Sequence, residues 1–227
     1  MALLDIVRGP ALAVALGVFV LGTLWRLAGL LRRQRMPDRS TPRAGAPSSM
    51  VGALRGILGG LRPRREFGQA ALFTSLNGYV FHLGLALIFF GYAPHIAFIR
   101  RLTGLGWPAL PDMVMYVAAG VTIVSLLLAL VLRLNDRVLR QISTADDYLT
   151  WVITFLPVIT GMAVVGEPSA ISVARDHVIY PGPLVVHLLT LELLLVWFPF
   201  GKLMHAVLFF FSRGATGMRF SHRGVKV

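Results

Sequence analysis

PLVVHLLTLELLLVWFPFGKLMHAVLFFF, residues 183–211, is an almost uninterrupted apolar run that nevertheless carries Glu192, Lys202 and two histidines, His187 and His205. Roughly 20 apolar residues suffice for a helix to cross the hydrocarbon of a bilayer, and this stretch is longer than that. Ionisable side chains in such a span face the protein interior rather than lipid, because exposure of the charged form to lipid costs at least ~2.5 kcal/mol. The run therefore predicts a membrane helix with something inside the bundle for its histidines to do.

Working outward, four further apolar runs of spanning length occupy residues 10–31, 72–99, 112–133 and 148–166. They are continuous and lack the period-two alternation of a membrane barrel strand, so helices are the expected way to satisfy the backbone in lipid. The expected fold is an all-α membrane protein, a single domain over residues 1–227 built as a bundle of five transmembrane helices. The first run ends in Arg32 and Arg33 where a cleavage site would need small residues, so it reads as a retained span rather than a signal peptide.

Composition agrees: 56% of the 227 residues are hydrophobic and 14% charged, which excludes an ordinary water-soluble globule. The absence of cysteine excludes disulfides, thiolate metal sites, protein-ligated iron–sulfur clusters and covalent c-type haem. The net charge of +12 sits in short segments beside the apolar runs, as topology signals do, and so does not indicate nucleic acid. A basic connection over 32–71 has nine arginines between Arg32 and Arg65 against one acid, Asp38. With the connection 133–147 and the basic tail 212–227 it defines the cytoplasmic side. The N-terminus is then expected outside and the C-terminus in the cytoplasm, although Arg100, Arg101 and Arg175 fall on the external side.

Of six histidines, His177 and His222 lie outside the apolar runs and are assigned no chemistry. His82 and His95 belong to the second run. On one straight helix, the 18 residues from His187 to His205 are five turns, which would put both on one face roughly 27 Å apart. Because the second and fifth runs are antiparallel, His82 matches His205 in depth and His95 matches His187. A facing pair of neutral imidazoles holds b-type haem iron from both axial sides and leaves no open position, which suits electron transfer. Gly78, Gly84 and Gly91 would allow close approach of a porphyrin or of another helix.

The stretches VFHLGLALIFFG (80–91) and FPFGKLMH (198–205) resemble the gamma subunit of respiratory nitrate reductase, a membrane cytochrome b. The resemblance implies that His82 and His205 bind the haem nearer the cytoplasm and that His187 serves an outer haem. Where that family has its remaining ligand, directly after the residue matching Gly91, this chain has Tyr92. The nearest substitute is His95, which would need a kink or an unwound helix end after Pro94 to face His187. Lys202 occupies the family's basic position and can pair with a haem propionate or snorkel to lipid phosphate.

The same resemblance implies one or two haem b groups, quinol as diffusible substrate, and cytoplasmic iron–sulfur and catalytic partner subunits. The family's quinone-contacting lysine has no match here, and Tyr92, His95 and Arg101 are candidate contacts only by their place near the outer end. The setting it implies is the respiratory chain of a bacterial or archaeal inner membrane, with the chain as an oxidoreductase subunit that is not a self-sufficient enzyme. Two other readings stand beside it: a haem-free helical anchor, and a small proton-coupled transporter using Glu192 and the histidines. Glu192 itself has three readings: a hydrogen-bond acceptor that orients a histidine, a proton relay from quinol, or a protonated group bonded to a neighbouring helix.

Overall fold

The computed structural model describes residues 3–33, 38–62, 68–164 and 181–225, and these are helical throughout apart from turns and short connections. The helices are α1 (Leu3–Arg32), α2 (Ser49–Gly60), α3 (Gly68–Gly91), α4 (Ala93–Thr103), α5 (Asp112–Asn135), α6 (Arg137–Ile142), α7 (Ala145–Val164), α8 (Pro181–Trp197) and α9 (His205–His222). Four helices are long and apolar enough to cross a membrane, and a bent pair, Gly182–Trp197 with Lys202–His222, makes up to five. Their outward faces are apolar: Leu21 is 69% exposed, Leu83 63% and Val124 64%, a surface suited to lipid and not to water. This is a multi-pass helical membrane protein.

Two of the five expected spans are not continuous. The run 72–99 stops at Gly91 and restarts at Ala93, with Tyr92 in extended geometry (φ −83°, ψ 130°). Pro94 has no N–H to offer the carbonyl one turn back, so the ladder cannot continue through it. The orphaned carbonyls are taken up locally: Trp107 Nε1 donates to Phe90 O at 2.6 Å and the Leu110 amide to Gly91 O at 2.9 Å.

The run 183–211 stops at Trp197, turns through Phe198–Gly201, and restarts in a 3₁₀ turn, Lys202–Met204, before α9. Pro199 lies in that turn, and the Phe200 and Gly201 amides both donate to Trp197 O at 3.0 Å. A single helical period therefore does not connect His187 with His205. The expectation that they share a face about five turns apart is corrected by this break.

The chain divides into two compact units, Met1–Gly17 with Phe73–Val196, and Val18–Leu72 with Trp197–Val227. In the first, a buried polar contact joins α3 to α5: Asn77 Nδ2 donates to Ser125 O at 3.0 Å, and Ser125 Oγ donates to Asn77 Oδ1 at 2.7 Å. Trp151 Nε1 ties α7 to α5 through Leu126 O at 2.8 Å, and Arg133 pairs with Asp147 at 3.4 Å. Met115, Ala119, Leu126, Ile153 and Val158 are the buried apolar side chains of α5 and α7. With little hydrophobic driving force inside lipid, such polar and close-packed contacts hold spans together.

In the second unit α2 packs along α9, so the basic connection 32–71 is more than a solvated link. Its Ser48 hydroxyl caps α2 by accepting from the Val51 amide. Gly52 and Gly56 are buried, and a Cβ built on Gly56 would lie 2.6 Å from Gly217 Cα, while one on Gly217 would collide with Gly52 O. The two backbones touch along a seam continued by Gly60 beside Arg213 and by Ser221 beside Gly52. Beyond the seam, Asp38 pairs with Arg223 Nε at 2.9 Å, and His222 Nε2 donates to Ser40 O at 2.9 Å. Phe19 meets Phe198 edge-on at 4.9 Å, and Gly22 gives room to the Pro199 ring.

Candidate functional site

The break after Gly91 redirects α4 and puts His95 on α8. Its ring centroid lies 6.2 Å from that of His187, with the planes inclined by 19°. His95 Nδ1 lies 3.0 Å from Ile88 O, another carbonyl near the end of α3. A carbonyl only accepts, so Nδ1 carries the proton and Nε2 carries the lone pair.

His187 is held from α7. Its Nδ1 lies 3.2 Å from Thr160 Oγ1, and that hydroxyl donates to Leu156 O at 2.7 Å, so the threonine oxygen accepts from the imidazole. Thr190 donates to His187 O at 2.8 Å and lies 3.0 Å from the Thr160 hydroxyl. Gly161 faces the same ring, and a Cβ there would approach His187 Cε1 to 3.2 Å. Neither Thr160 nor Gly161 is evident from the sequence as a partner of His187, although a Thr-Gly pair one turn after Pro157 is the kind of small, polar surface a buried imidazole needs.

The other two intramembrane histidines have the same local anchoring. His82 Nδ1 lies 2.7 Å from Gly78 O, and His205 Nδ1 lies 2.7 Å from Lys202 O. In all four, Nδ1 lies within hydrogen-bonding distance of an oxygen acceptor. His82 belongs to the first unit and His205 to the second.

Metal–imidazole bonds are about 2 Å, and adding the ring's half-width on both sides gives roughly 6 Å between centroids when one metal lies between two rings. The centroids of His95 and His187 lie 6.2 Å apart, a distance of that size, with the ring planes nearly parallel. Among the described residues no group of three or more His, Asp or Glu side chains converges, so a protein-only metal cage is not found, whereas haem iron asks only two ligands of the chain.

The remaining candidates are placed as follows. Tyr92 lies edge-on to His95 at 5.4 Å. Arg101 is exposed near the end of α4, six residues and about 120° around the helix from His95, and is not brought to it. Lys202 is exposed, with its carbonyl anchoring His205. Gly84 abuts Thr122, and Gly91 abuts Leu110 and Met115, so both serve helix packing; Gly78 has open space at its Cα. His177 lies outside the described residues.

No family model and no solved structure matches the chain. A protein of Nitratidesulfovibrio vulgaris (strain Hildenborough) is 31% identical over 220 residues, covering 94% of this chain and 91% of that protein. The chain belongs to the same family as that protein.

Proposed function

We propose that this chain is a membrane-anchoring b-type cytochrome subunit that carries electrons between membrane quinol and a cytoplasmic iron–sulfur or catalytic partner. The observation that carries the reading is the His95–His187 pair, 6.2 Å apart and with both Nδ1 atoms anchored. These two residues would hold one haem; the resemblance assigns His82 and His205 to a second, nearer the cytoplasm. A haem with two imidazole ligands supplies reversible one-electron transfer and has no position for substrate.

What the chain's own residues contribute is orientation. Ile88, Thr160, Gly78 and Lys202 each hold an imidazole in one tautomer and rotamer, which makes the ligand nitrogen more basic and limits reorganisation when the charge changes. The basic segments 32–71 and 212–227 fit a cytoplasmic face, with the N-terminus outside. An inner membrane location and a soluble partner on that face complete the reading.

A reduced-minus-oxidised spectrum of the purified full-length protein tests it. A b-type signal is expected, halved in His95→Ala and in His187→Ala if two haems are present and abolished if one is. A protein without haem absorbance, or a signal unchanged in both variants, overturns the assignment of this pair.

A further inference from the structure

Glu192 follows His187 by five residues on α8, which is about 140° of rotation and roughly 7.5 Å along the axis. The two side chains leave the helix on different faces: His187 meets α4 and α7, whereas Glu192 meets the N-terminal part of α1. Glu192 is therefore not the orienting partner of His187. It is 8% exposed, and among the described residues its Oε1 has no hydrogen-bond partner.

Glu192 lines an open groove of about 530 Å³, walled also by Ile6, Pro10, Val14, Leu189 and Val196. The wall includes Pro10, inside a π-helical turn, Val7–Ala11. Such turns are rare, and many occur at functional sites. The groove has the size of a small-molecule site, and its lining is apolar except for one carboxyl.

We propose that this groove binds the ring of a membrane-soluble quinol or quinone, with Glu192 as the hydrogen-bonding partner of a ring oxygen. A carboxylate accepts from a quinol hydroxyl, and a protonated carboxyl donates to a quinone carbonyl. A lipid acyl chain brings no group for the carboxyl, and a charged headgroup finds no counter-charge in the lining, so an apolar ring with one polar edge is the better match. The choice of a quinol among such molecules rests on the proposed electron-transfer function. α8 would then carry a haem ligand on one face and the quinol contact on another.

The test uses the full-length protein in phosphatidylcholine nanodiscs, titrated calorimetrically with a decyl-tailed naphthoquinone and, separately, with a decyl-tailed naphthalene lacking ring oxygens. The quinone is expected to bind wild-type and Glu192→Gln within about threefold of each other, since the amide keeps a donor and an acceptor. Glu192→Leu loses about tenfold or more in affinity, as does Val14→Trp, which fills the groove. Equal quinone binding by wild-type, Glu192→Leu and Val14→Trp overturns the site, and so does tight binding of the oxygen-free analogue, which would make the groove an acyl-chain slot. Dithionite spectra of the same samples separate the two proposals: Glu192-dependent quinone binding without any haem signal refutes the cytochrome reading and leaves this site standing.

Discussion

The hydroxyl of Thr160 lies 3.2 Å from His187 Nδ1 and donates its own proton to Leu156 O, so α7 favours one tautomer of the imidazole on α8. Thr160→Val keeps the shape and removes the side-chain acceptor, leaving the Pro157 backbone as the other partner of the ring. With a less basic, less restrained imidazole, the haem proposed for the His95–His187 pair is expected to be held about 10–100-fold more weakly, and its midpoint potential to rise. Potentiometric titration checks this, with Thr160→Ser expected to restore wild-type behaviour. An unchanged potential in Thr160→Val would show that the hydroxyl has no part in tuning the site.

Gly161 provides a steric version of the same test. A Cβ at this position approaches His187 Cε1 to 3.2 Å, which a small movement of the ring absorbs, whereas a branched side chain does not fit. Gly161→Ala should retain the spectrum with a small shift in potential. Gly161→Leu should lose the signal of that one haem without touching a ligand, while a haem bound elsewhere keeps its absorption. Resonance Raman or low-temperature optical spectra distinguish the two.

Most of the helical content was legible, because long apolar runs leave the backbone only one solution in lipid. The breaks were less so. Pro94 and Pro199 both announce an interruption, but proline in a span is often absorbed as a kink, and only the pairing of Phe90 O with Trp107 and Gly91 O with Leu110 shows that α3 ends. The helical wheel over 187–205 failed for the same reason: it assumed one helix where the chain has two.

The basic connection hid α2. Its charge drew attention away from Gly52, Gly56 and Gly60, a four-residue repeat that hydropathy does not detect and that becomes informative only beside Gly214, Gly217 and Ser221. Conversely, the four histidines were found from the sequence because a polar group in an apolar span stands out. Their acceptors, mostly backbone carbonyls, carry no sequence signal.

The α2–α9 seam makes a geometric prediction. A Cβ on Gly214 lies 3.8 Å from Ala53 Cβ, within the range a disulfide requires. The chain has no cysteine of its own, so the double variant Ala53→Cys, Gly214→Cys introduces the only two thiols. Mild oxidation should close a loop detectable as a faster band on a non-reducing gel, reversed by reductant and absent in either single variant. Failure of the double variant to cross-link under conditions where both thiols react with maleimide would contradict the seam. Gly217→Leu, which drives a side chain into Gly52 and Gly56, should separate the helices and abolish cross-linking in the same background.

The end of that seam is predicted to respond to acid. Asp38 accepts from Arg223 Nε at 2.9 Å, from Ser40 Oγ at 2.7 Å and from the Ser40 amide at 3.1 Å, and the arginine first and the serine second hold its carboxyl well below its ordinary 3.8. A depressed carboxyl stabilises the folded state fully above its unfolded value and loses that contribution as pH falls toward its folded one. Its contribution to docking is therefore full at neutral pH and declines below about pH 4, the unfolded range of an aspartate. Nearby, the Arg43 amide donates to His222 O at 3.0 Å and reports whether the segment stays docked. Hydrogen exchange of that amide, corrected for the intrinsic pH dependence, should lose protection in the wild type as acid is added. Asp38→Asn, which removes the charge at every pH, should already show reduced protection at pH 7 and no further acid step. An acid step of the same size in both proteins would mean that another group anchors the tail.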